Sequence, residues 1–213
     1  METGSVFNGA VTFSAPGINL NGAVFNSTAV LTKNGSISSS SAGGNTFNST
    51  VSLINSGSGE WSLGGTNPDV FENDLTVENT GSDVIYLADG SLGNEFNGDI
   101  DLNSTGTSAG IRFGQNSGTS TLATGKVIAI GSGGFTSGDL RLAGFTQVGT
   151  TAQSLSTFGS GTELYLESGT TFNGTSTFIC PGIYLNGSTF NNTTTITKSG
   201  SGPNLSSGGN VFN

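Results

Sequence analysis

VFNGAVTFSAPGINLNGAVFN at residues 6–26 returns as TFNGTSTFICPGIYLNGSTFN at residues 171–191. Displacing the chain by 165 residues aligns 6–48 with 171–213 without a gap and gives 24 identities in 43 pairs. Periodicity of this kind marks an array whose units stack on their neighbours. The 213 residues therefore read as one repeat-built segment, with 7–171 as a full repeat of 165 residues and 172–213 as the start of the next.

Inside the long repeat runs a shorter rhythm. Phe-Asn stands at Phe7-Asn8, Phe25-Asn26, Phe47-Asn48, Phe96-Asn97, Phe172-Asn173, Phe190-Asn191 and Phe212-Asn213, with Phe71-Glu72 as a variant. An alternating apolar pair follows, such as Val11/Phe13, Val51/Leu53 or Ile100/Leu102, then a Gly/Ser/Asn turn, then a second pair such as Trp61/Leu63, Ile85/Leu87 or Leu164/Leu166. Alternation is the period of a half-buried strand, so two short strands are expected in each sub-repeat. Starts at 7, 25, 47, 71, 96, about 122, about 146 and 172 give lengths of 18 to 26 residues, seven sub-repeats to the long one.

Coils of that length predict an all-β solenoid, a parallel β-helix of about nine rungs, with each strand pairing to its equivalent one coil on at about 4.8 Å. The hexapeptide period of the left-handed form is absent, as is the G-G-x-G-x-D calcium nonapeptide, which favours the right-handed form. Equivalent residues then stack. The Phe of each rung is expected to join an inward ladder of rings, and the Asn beside it an amide ladder at the corner. Gly9, Gly98 and Gly174 follow at once and are expected to supply backbone angles that a side chain opposes. Phe-Asn is thus the corner of a coil rather than an active site.

Composition narrows the function. Gly supplies 36 residues and only 9% of positions are charged, against about 25% in an ordinary domain. Gly, Ser, Thr and Asn are poor helix formers, while 14 Phe and the alternating aliphatics argue against a disordered coil. A net charge of −9 argues against nucleic acid and anionic membrane partners. No apolar run of about 18 residues offers membrane insertion, and METGSVF has neither the basic start nor the apolar stretch of a secretory leader. The chain has no His, hence no imidazole base or triad. A lyase-type groove needs clustered carboxylates with Lys or Arg, and the chain has only five basic residues, Lys33, Arg112, Lys126, Arg141 and Lys198. No enzyme and no obligatory cofactor are expected. Cys180 falls where the first copy has Ala15 and reads as a small packing residue.

Two features bear on binding. Ten of the fourteen acidic residues lie between Glu60 and Asp101. Asp74 and Asp99 share one slot, three residues after the rung-opening Phe, and so are expected to be neighbours on adjacent rungs. Two close carboxylates repel unless a cation separates them, which makes Ca2+ the metal to consider; the plainer reading is a solvated acidic face. The second feature is the outward position between the second strand's aliphatics, which reads Asn19, Ser62, Tyr86, Arg112, Arg141, Tyr165 and Tyr184. It gathers all three Tyr and both Arg of the chain. As exposed rings with donors between them, these residues suit sugar rings or another protein; as ordinary strand-surface residues, they shield the sheet.

FNGxxTFxxPGIxLNGxxFNxTxxxTKxG, followed by S-x-G-G-N-x-F-N, resembles the long tandem repeats of giant secreted surface proteins of Bacteroidota, the gliding-motility adhesins exported by the type IX secretion system. The resemblance covers nearly the whole chain. It implies an extracellular, cell-surface location and a stiff fibre or adhesin stalk in which copies of the repeat follow one another end to end. A carbohydrate-binding module that holds surface polysaccharide on the Tyr/Arg column is the alternative.

Overall fold

The computed structural model describes residues 1–90, 92–107, 110–114, 118–201 and 204–213. Its strands pair in parallel with their equivalents one coil on, and the chain winds as a parallel β-helix with no helix among the described residues. Three faces run along it. The first is a sheet of 10 short strands, from Val6–Phe7 and Val24–Phe25 to Thr189–Phe190 and Val211–Phe212. The second has 6 strands, from Val11–Ala15 to Ile128–Phe135, and resumes as 3 strands from Gln153–Leu155 to Thr194–Lys198. The third has 8 strands, from Ser39–Ser40 to Ser206–Gly208.

The alternation in the sequence led us to expect two strands per coil, and the structure has three. The additional one carries the Phe itself. Most of these strands are two residues long and bury one side chain, so no alternation can show in the sequence.

The ring ladder forms as expected. Phe7, Phe25, Phe47 and Phe71 stack with centroids 4.9 Å apart at each step, and Phe96 follows at 5.2 Å. This spacing is the interstrand distance itself, about 4.8 Å, which is why a single aromatic per rung packs without a gap. Phe172, Phe190 and Phe212 rebuild the ladder in the second copy. Between the two runs, Leu122 and Gln147 occupy the Phe position, so the start expected at about 146 lies at 147. Phe145, two residues earlier and also inward, fills the missing ring's space, 5.5 Å from Phe113 and 6.2 Å from Phe172.

The amide ladder also forms. Asn26 Nδ2 donates to Asn8 Oδ1 at 2.7 Å, Asn48 to Asn26 at 2.8 Å, Asn191 to Asn173 at 2.7 Å and Asn213 to Asn191 at 2.7 Å. Glu72 takes the Asn position on its coil, and its Oε2 accepts from Asn97 Nδ2 at 3.1 Å.

The role expected of the adjoining glycines needs correction. Gly9, Gly98 and Gly174 do not adopt positive φ. What excludes a side chain is the coil below: a Cβ at Gly98 would lie 2.2 Å from the Asn73 carbonyl carbon, and one at Gly174 would lie 2.3 Å from Thr151 O. Stacked backbones demand glycine here through close approach rather than through torsion.

A second inward ladder, which we did not anticipate from the sequence, stands two residues before the Phe. Each side chain accepts the backbone N–H of its equivalent on the preceding coil: Ala23 N donates to Asn45 Oδ1, Asn45 N to Asp69 Oδ1, Asp69 N to Asn94 Oδ1 and Asn94 N to Ser120 Oγ, at 2.8–3.1 Å. All four acceptor residues are buried. They satisfy amides that the turn would otherwise leave unpaired.

Candidate functional site

The third face carries the Tyr/Arg column. Parallel register places Tyr86 beside Arg112, Arg112 beside Arg141, Arg141 beside Tyr165 and Tyr165 beside Tyr184, five consecutive coils as expected. Ser62 precedes Tyr86 in the same column, and Ser40 precedes Ser62. Inward Leu87, Leu142, Leu164 and Leu166 are fully buried and fix the strand that presents it.

These side chains are not exposed rings, and in this respect the expectation is corrected. Tyr86 and Tyr184 are only 8% and 7% exposed. Tyr165 stacks on Tyr184 with centroids 4.1 Å apart and planes 4° apart. The Arg141 guanidinium lies over the Tyr165 ring at 4.2 Å, and Arg112 lies 5.6 Å from the Tyr86 ring centre. Neighbours one coil apart stack face to face, because a parallel sheet holds equivalent side chains at about the thickness of an aromatic pair.

Acidic side chains that the sequence reading passed over complete the site. Arg112 donates Nε and Nη2 to the two oxygens of Asp139, both at 3.1 Å, and Nη1 to the Tyr86 hydroxyl at 3.1 Å. Arg141 reaches Glu167 at 2.9 Å and Asp139 at 3.4 Å. Glu163 accepts both phenols, Tyr165 at 2.6 Å and Tyr184 at 3.1 Å. Burial and the bond to Glu163 push the Tyr165 phenol well above its ordinary range. Asp139 and Glu163 stand two residues before Arg141 and Tyr165, and Glu167 stands two after Tyr165. The strand period places them on the same face, and that spacing was the available signal.

A depression of about 460 Å³ opens beside this column, lined among others by Arg112, Asp139, Arg141, Glu163 and Tyr165. A second, of about 250 Å³, meets Tyr86, Arg112, Arg141 and Glu167. Chemically this is a polar, mixed-charge face with planar donors and paired carboxylates.

Asp74 and Asp99 are brought together on adjacent coils, as expected. Asp74 Oδ1 accepts the Asp99 N–H at 2.9 Å, and Asp99 Oδ1 accepts the Val127 N–H at 2.9 Å. Each carboxylate caps the next coil's backbone. Among the described residues no group of three or more His, Cys, Asp or Glu is gathered as a metal site.

The fold and the column define a repeat-built β-solenoid with a side-chain ladder on one face. Comparison with protein-family models, curated proteins and solved structures finds no match to this chain.

Proposed function

We propose that this segment is a structural repeat of a long extracellular surface fibre or adhesin stalk, in which successive repeats extend one stiff rod. The observation that carries the reading is the registry of the two copies. Phe172, Phe190 and Phe212 repeat the spacing of Phe7, Phe25 and Phe47, and the second copy continues the first sheet without interruption. Phe47, covered by the next coil, is 1% exposed, while its counterpart Phe212 in the last coil is 57% exposed. A further coil laid over Phe212 would bury it as Phe47 is buried. The rod's work is mechanical: load is shared by many backbone bonds, each worth about 1 kcal/mol net. An antibody raised against the chain should label intact cells of the source organism and lose its target after brief external proteolysis. Labelling confined to lysed cells would overturn the reading.

A second reading, a carbohydrate-binding module, is favoured by the depression beside Arg112, Asp139, Arg141, Glu163 and Tyr165. Because the ring faces are occupied by one another, such a ligand would be held through hydroxyl contacts to the Arg and carboxylate groups at the ring edges. Replacing Tyr165 and Arg141 by Ala should then abolish retention on surface polysaccharide while far-UV circular dichroism is kept. Unchanged retention removes this reading.

A further inference from the structure

Lys33 stands in the inward column at the end of the strand Ala29–Lys33 on the second face, in register with Ala15 on one side and Asn55 on the other. It is fully buried, and among the described residues no carboxylate lies within ion-pair distance of it. Its Nζ donates to Gly59 O at 2.6 Å and to Gly35 O at 3.1 Å. The Asn55 carboxamide, one coil on and equally buried, donates Nδ2 to the same Gly59 O at 3.2 Å and accepts the Gly57 N–H on Oδ1 at 3.3 Å. Amine and carboxamide therefore converge on one carbonyl oxygen. Asp83 borders the pair: its backbone oxygen accepts Asn55 Nδ2 at 3.4 Å, and its charge acts on the Lys33 amine.

A buried lysine without a counter-ion is costly as an ammonium. Burial lowers the Lys33 amine below the ordinary lysine range, against the opposing charge of Asp83. A neutral, desolvated amine is a nucleophile, and one held beside a carboxamide has the advantage of proximity.

We propose that Lys33 and Asn55 join in an intramolecular isopeptide bond that staples two adjacent coils. The Nζ–Cγ bond forms and the Cγ–Nδ2 bond breaks. One proton passes from Nζ to the departing nitrogen, which stands beside it on Gly59 O and leaves as ammonia. The Gly57 N–H on Oδ1 is in position to hold the negative charge that develops on that oxygen. No oxidant and no cofactor enter. Lys198, the counterpart of Lys33 165 residues on, is exposed in the last coil, and its amine donates to the Gly200 carbonyl.

The intact mass of the purified full chain decides the matter. The expected mass is that of the sequence less one ammonia, and trypsin acting on the unfolded chain should fail to cut after Lys33. Lys33→Arg and Asn55→Ala should each restore their full sequence masses. Because the unsubstituted protein gives the primary result, a variant that fails to fold does not affect it. A full sequence mass together with cleavage after Lys33 would overturn the proposal and leave the pair as a hydrogen-bonded cap.

Discussion

Gly9 and Gly174 are the same residue of the repeat, yet a Cβ at 174 would lie 2.3 Å from the carbonyl oxygen of Thr151, while one at 9 would meet nothing within 4 Å. The difference is the coil beneath. Gly174 rests on the coil that ends at Thr171, and Gly9 belongs to the first coil of the chain. Gly174→Ala should therefore cost about 1–3 kcal/mol through overpacking, and Gly9→Ala should lie within about 0.5 kcal/mol of the unsubstituted chain. Urea unfolding of the two variants side by side checks this. Equal losses would mean that torsion, rather than close approach, selects glycine.

Asp69 sets a pH dependence. It stands in the inward cap column where other coils use Asn45 and Asn94; burial pushes its carboxyl up to about 6, against the bonds from Asn45. Its second oxygen, Oδ2, is buried with no hydrogen bond of ordinary geometry among the described residues. A carboxyl whose folded value is raised favours the protonated folded state. Its contribution is complete below about pH 4 and is lost as the pH rises through about 6. The loss is at most about 3 kcal/mol at neutral pH. Asp69→Asn should raise the melting temperature at pH 7.5 and leave it nearly unchanged at pH 4. Thermal unfolding of both chains across this range is the check, and a variant less stable at pH 7.5 would contradict the assignment.

The Arg112–Asp139 pair should act as a ladder element rather than as a free recognition group. The two side chains are 27% and 14% exposed, so screening reduces their worth. Among the described residues Arg112→Ala leaves Asp139 with its longer contact to Arg141 alone and should cost about 1–2 kcal/mol. The double variant with Asp139→Ala should recover part of that loss. A double-mutant cycle in chemical denaturation measures the coupling, which should shrink in high salt. Strict additivity would mean that the pair does nothing for the stack.

How much of this was legible in the sequence follows from what repeats in it. The Phe recurs at Phe7, Phe25, Phe47, Phe71 and Phe96, and Asn follows it in all of these coils except that of Glu72, so the ring and amide ladders could be read directly. The Tyr86 to Tyr184 column was legible because the aliphatics on either side fixed its register. Asp139 and Glu163 share one slot on adjacent coils but escaped because the next coil puts Gly182 there, and Glu167 escaped because Asn186 takes its place one coil on. The additional strand of each coil, on the first face, escaped because strands such as Thr46–Phe47 are too short to alternate. The inward cap ladder of Asn45, Asp69, Asn94 and Ser120 changes its residue type from coil to coil while keeping one function, acceptance of the neighbour's N–H. Identity searches along the chain do not detect a position held only by hydrogen-bonding capacity.

The claim on which the whole account rests is that residues 165 apart lie seven coils apart on one axis. Spin labels at Thr12 and Thr177, equivalent outward positions of the two copies, test it by pulsed dipolar spectroscopy. Seven coils at about 4.8 Å should give a single distance near ~34 Å, and moving the second label to Thr195 should add about one coil more. A short distance that sets the two copies side by side, or no increase on going from 177 to 195, would contradict a continuous stack.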